Sequence, residues 1–179
     1  DATKGWLVVN DGNNDAGSQA AFITATGGTI TTVCTNFKVH TFTGPGTFTV
    51  CSVGNAEGSN SVDYLVVAGG AAGGGHGGDG ATVGGGGGAG GYRFSNGTVS
   101  GCYTAGPSPL GATALPVTAA GFPITVGAGG VSYFPGNCAP GAQGSNSIFS
   151  TITSAGGGAG NGAGMTCAAK GNGGSGGGG

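Results

Sequence analysis

The side chains able to do chemistry are few and far apart. The carboxylates are Asp1, Asp11, Asp15, Glu57, Asp63 and Asp79, the imidazoles His40 and His76, and the thiols Cys34, Cys51, Cys102, Cys138 and Cys167. Acid–base catalysis needs a positioned group within hydrogen-bond reach of the proton it moves, and no two acids form a close pair in a motif. His76 and Asp79 share a glycine loop, but a metal or catalytic centre needs further ligands that their neighbourhood lacks. His40 falls in an expected strand, as a cross-strand neighbour. Gly86 to Gly91 satisfies G-x-G-x-x-G, a match without weight inside a glycine tract and with no helix after it. Lys170 is followed by Gly171, so no phosphate-binding G-K-[ST] ending exists. Asp11-Gly12-Asn13-Asn14-Asp15 matches the opening of a calcium loop, but Ala16 stands where glycine is needed and the closing Glu is missing; it reads as an Asx-rich turn. Asn96-Gly97-Thr98 is a glycosylation sequon, which makes Asn96 a modification site where the host glycosylates. The expectation is a non-enzymatic chain with no catalytic, cofactor-binding or metal-ligating residues and no cofactor.

The cysteines are too scattered for a CxxC metal or redox site. In a chain so poor in charge they read as disulfides of an oxidising compartment. The expected pairs are Cys34 with Cys51, stapling the strands around a hairpin, and Cys102 with Cys138. Cys167 is left free or reaches another chain, because five is odd. An extracellular or virion-surface location follows. The chain opens on Asp1 without an initiator Met and is read as processed or partial.

Composition narrows the function classes. Charged residues are 6% of 179, against about 25% for an ordinary soluble protein. Four cations cannot make the basic face that nucleic acid requires, and Arg93 alone is no Arg-Gly-Gly tract. No apolar run is long enough to span a bilayer, so membrane insertion is not expected. Glycine, with 48 residues, and proline, with 7, fill a little under a third of the chain. That proportion usually means disorder, yet disordered chains are polar and charged. This one is 37% hydrophobic, with eight Phe and four Tyr. A surface with so little charge does not repel its copies.

Two regions emerge. Residues 1–67 carry short strand candidates: Gly5–Val9, Ala21–Thr24, Thr29–Cys34 and Ser61–Val67. The run Val39–Cys51 is nearly palindromic around Gly44-Pro45-Gly46, and predicts a hairpin with Thr43 facing Thr47, Phe42 facing Phe48 and Thr41 facing Thr49. Residues 68–179 are glycine-rich with interspersed strands at Ile124–Val126 and Ser147–Thr153, with one continuous unit as the alternative to two parts. Tyr92, Phe94 and Tyr103 fall in a mixed stretch, 92–118, suited to display. No heptad, collagen period or helical periodicity is present. Extended glycine has three residues per turn and sideways N–H and C=O groups. Neighbouring bare segments can therefore bond to each other as polyglycine II and satisfy their backbones. The expected fold is all-β: short antiparallel strands and hairpins interleaved with packed polyglycine II segments, with little or no helix.

The strings Thr41–Val50, Val62–Gly70, Gly88–Arg93, Ile124–Gly130 and Gly144–Gly158 together resemble the glycine-rich domain of tailed-bacteriophage structural proteins, a pattern also seen in metagenomic proteins. The resemblance covers roughly residues 25–179. Ala71, Ala72, His76 and Asp79 interrupt its first tract. It implies tail-fibre or adhesin roles, interleaved strands and polyglycine II, and no catalytic residues. The reading is a structural protein that self-assembles into an extracellular or phage tail fibre. Its partners are copies of itself, with a bacterial surface receptor as a further partner. The alternative is a binding module, either a receptor-binding adhesin or an ice-binding protein, displaying loops on a polyglycine core.

Overall fold

Threonine- and valine-rich runs suit a pleated, half-buried surface, and the computed structural model turns them into strands. It describes residues 20–35, 37–76, 83–95, 112–132, 139–163 and 172–178, and among these there is no helix. The strands are β1 (Thr24–Thr26), β2 (Thr29–Val33), β3 (Phe37–Thr41), β4 (Gly46–Ser52), β5 (Ser61–Val62), β6 (Leu65–Val67), β7 (Tyr92–Phe94), β8 (Leu115–Pro116), β9 (Gly121–Thr125), β10 (Ser147–Phe149) and β11 (Ile152–Ser154). A five-stranded sheet runs β1-β4-β9-β10-β11, and two-stranded ribbons pair β2 with β3, β5 with β8 and β6 with β7. All these strand pairs are antiparallel. The fold is all-β, as expected.

The hairpin around Gly44-Pro45-Gly46 does not form. β4 is an inner strand, bonded on one side to β1 and on the other to β9, so neither edge is free for β3. Phe48 consequently faces Phe122, not Phe42, and Thr47 faces Pro123. β3 pairs instead with β2, with Thr29 opposite Thr41 and Val33 opposite Phe37. The two pairings, β1 with β4 and β2 with β3, are two stretches of one long excursion. One arm is broken at Gly27 and Gly28, whose φ values are 107° and 63°, a region that favours glycine. A Cβ at Gly27 would overlap the Thr47 carbonyl, and Phe42 lies 3.1 Å from where a Gly28 Cβ would stand.

Two single strands expected from sequence are each divided. Ser61–Val67 splits into β5 and β6, which pair with different partners. Ser147–Thr153 is a tight hairpin: Phe149 faces Ile152 across Ser150 and Thr151, and Ser150 takes a φ of 55°. Phe48, Val50, Val66, Val117 and Phe149 form the buried apolar cluster, flanked by Phe42, Tyr64, Phe122, Ile124 and Ile152. The Phe149 ring meets Phe48 edge-on at 6.0 Å and Phe122 at 6.3 Å, the favoured aromatic arrangement.

Beyond the sheet the chain continues as six extended glycine segments: I (68–76), II (83–91), III (126–132), IV (139–146), V (155–163) and VI (172–178). Strands β6, β9 and β11 run directly into I, III and V, while II and IV run into β7 and β10. Their backbone bonds recur every third residue. The N–H groups of 68, 71 and 74 donate to the carbonyls of 91, 88 and 85; those of 69, 72 and 75 donate to 145, 142 and 139; and those of 157, 160 and 163 donate to 69, 72 and 75. Segment V likewise accepts from II, through 85, 88 and 91, and from IV, through 141 and 144. The bonding places III, I and II side by side in one layer and IV, V and VI in a second. I, III, V and VI run one way, II and IV the other. Residues 156–163 are buried throughout. β4 of the N-terminal region shares a sheet with β9 of the glycine-rich region.

Where the two-residue pleat gives way to the three-residue step, backbone partners fall out of register. Side chains fill the gaps. Ser147 Oγ accepts the N–H of Gly127 at 2.9 Å, and Asn146 Oδ1 accepts that of Gly156 at 2.9 Å.

Candidate assembly surfaces

The residues singled out for chemistry are spread or structural. His40 Nδ1 lies 2.8 Å from the Gly27 carbonyl, and its ring stands edge-on to Phe48 at 5.0 Å, so it braces the excursion where the glycines break it. His76 closes segment I; Asp79 lies outside the described residues, as do Asp11, Asp15, Asn96, Cys102, Tyr103, Cys138, Cys167 and Lys170. Gly86–Gly91 belongs to segment II, where Gly88 and Gly91 donate to Gly158 and Ala155; no helix N-terminus follows it. Among the described residues no group of three or more His, Cys, Asp and Glu is placed to hold a metal ion.

The expected Cys34–Cys51 pair is not made. Cys51 is an exposed free thiol, whereas Cys34 is disulfide-bonded and so bonded elsewhere. Topology gives the reason. Cys34 sits in the turn at the far tip of the β2–β3 ribbon, while Cys51 is the next-to-last residue of β4 in the main sheet, beside the β1 register Ala25–Val50.

Sequence reasoning missed Ser95. Its buried hydroxyl donates to Asp63 Oδ1 at 2.7 Å and accepts the Tyr64 N–H at 3.0 Å, locking β7 to the link between β5 and β6. Asp63 is thereby held in a structural role. A Ser followed by Asn-Gly in the sequence carries no signal of a partner 32 residues away.

What the geometry does concentrate is uncovered apolar surface. The β2–β3 ribbon exposes all five residues of β2 and four of five in β3. One face carries Val33, Phe37 and Val39 with Thr29, Thr31 and Thr41, a pattern set by the register. The β6–β7 ribbon exposes a second face: Leu65 is 61% and Tyr92 58% accessible, with Val67 between them. Val66, on the opposite face, is buried in the core. Tyr92 and Phe94 rings lie 5.1 Å apart. Beside this ribbon a hollow of about 330 Å³ is lined by Tyr64, Tyr92, Arg93, Phe94 and the β10–β11 hairpin residues Thr151, Ile152 and Thr153.

A family model described as a glycine-rich domain matches residues 41–179. The chain belongs to the glycine-rich domain family. No curated protein and no solved structure matches it. The glycine-rich domain so delimited takes in β4, the remaining sheet and all six glycine segments, and leaves outside β1, β2 and all of β3 but Thr41.

Proposed function

We propose that this glycine-rich domain is a non-enzymatic structural subunit that assembles with its own copies into an extracellular fibre, and that its six glycine segments are polyglycine II helices. The three-residue recurrence of the backbone bonds carries the reading, because it matches a chain with three residues per turn and not a pleated strand. Such a core is stiff and gives mechanical continuity, yet it presents no constellation of reactive groups. The uncovered ribbon faces and the near absence of charge favour contact between copies. The finer reading is a tail-fibre or related phage structural component at the virion surface.

Electron microscopy of the purified protein across a concentration series is the test. The expected result is filaments with a helical repeat. A monodisperse particle at every concentration rejects the fibre. A second reading, a receptor-binding module, is favoured by the hollow with Tyr64, Tyr92, Phe94 and Arg93, since aromatic faces beside a guanidinium suit a glycan ligand or an aromatic one. Glycan-array binding by a particle that never polymerises would select that reading.

A further inference from the structure

Most glycines of the six segments are demanded by the fold. A Cβ on Gly87, Gly90, Gly144, Gly157 or Gly160 would overlap a carbonyl of the neighbouring segment. Three others are not. Nothing lies within 4 Å of a Cβ on Gly86, and the nearest atoms to one on Gly70 or Gly129 are 3.8 and 3.6 Å away. All three are exposed and lie in II, I and III, the segments of a single layer. Glycine costs conformational entropy that alanine does not, so internal packing gives no reason for its use there. The N–H groups of Gly70, Gly86 and Gly129 also donate to no described residue.

We infer that the outer face of this layer, with the apolar β6–β7 face that runs into it, is the seat of a second copy of the same chain, backbone against backbone. This inference rests on the fibre reading and names its contact. Only a partner with bare extended backbone can approach a side-chain-free face closely enough to bond its peptides, and this chain carries that surface itself. Leu65, Val67 and Tyr92 supply the apolar anchor at one end. The area is sufficient: at roughly 3.1–3.3 Å per residue, two stretches of about 38 Å and a third of about 22 Å, each about 5 Å wide, give on the order of 500 Å² per copy, or about 1,000 Å² in total. Among the described residues the patch carries no charged side chain, since Arg93, the cross-strand partner of Val66, lies on the opposite face of the ribbon, so no like-charge repulsion opposes pairing.

The test compares the intact protein with Gly86→Val and, independently, Leu65→Glu, by sedimentation over a concentration series. Circular dichroism and the unfolding transition serve as checks that each variant folds. The Gly86→Val side chain has room within the subunit, and Leu65→Glu places charge on an exposed position, so folding is retained. Both are expected to weaken association by roughly thirtyfold or more, the scale of an interface hot spot. Assembly of both folded variants at wild-type affinity would overturn the inference and leave the fibre reading standing. A wild-type protein that stays monomeric would overturn both.

Discussion

A single methyl group measures how closely these backbones pack. Gly157 and Gly160 are buried, and a Cβ on either would overlap the carbonyl of Gly88 or Gly85. Gly157→Ala and Gly160→Ala are each expected to cost about 2 kcal/mol or more, the range of overpacking. Gly44→Ala, with nothing within 4 Å of the new atom, is expected to stay within about 0.5 kcal/mol. Denaturant unfolding of the three variants checks this, and equal losses would show the interior to be loosely packed. Two buried serines make a second contrast. Ser147 Oγ satisfies the Gly127 N–H, so Ser147→Ala leaves a donor unpaired and is expected to cost about 1–2 kcal/mol. Ser154 is fully buried and its Oγ has no hydrogen-bond partner among the described residues. Ser154→Ala removes an unsatisfied group and is expected to be neutral or stabilising, read as a Tm at or above that of the parent.

At the scale of elements, the β2–β3 ribbon stands apart. An isolated two-stranded ribbon is only marginally stable in water, and this one is largely exposed on both faces, held at its base by His40 against Phe48 and at its tip by the Cys34 disulfide. Its amides are expected to exchange with solvent well before those of β4, β9 and segment V in the dispersed subunit, and to gain protection on assembly if the ribbon is used as an arm. Hydrogen-exchange mass spectrometry reads both states; protection equal to β4 in the dispersed subunit would contradict the first expectation. The same element marks how far sequence alone reaches. Thr29–Cys34 is legible as a strand because its Thr/Val run is local information, and Ile124–Val126 likewise. The palindrome around Pro45 misleads because pairing is a contest: Phe48 takes its cross-strand partner in Phe122, from a strand over 70 residues away. Ser150 and Thr151 form a turn without Gly, Pro or Asn to announce it. The assembly surfaces are hidden for a further reason. In a glycine tract every position has the same letter, so the three-residue step that separates inward from outward positions cannot be read from composition.

For the whole molecule, the balance between side-chain core and backbone core has a thermodynamic signature. Exposure of apolar surface raises the heat capacity on unfolding, and exposure of polar surface lowers it. Here the described large apolar core is a small cluster at the sheet end, centred on Phe48 and Phe149. The glycine layers bury mainly peptide groups, many of them bonded to a neighbouring segment. An ordinary protein of this length would show an unfolding heat-capacity change of about 2.1–2.7 kcal/mol/K. The expectation here is clearly less, and with it a flatter stability curve in which cooling removes little of the stabilisation, since the hydrophobic contribution that fades in the cold is a minor one. Differential scanning calorimetry on the dispersed subunit measures this directly. A heat-capacity change at the ordinary value would mean that apolar burial, and not bonded glycine backbone, dominates the fold, and would remove the physical basis for treating the glycine layers as the stiff core of a fibre.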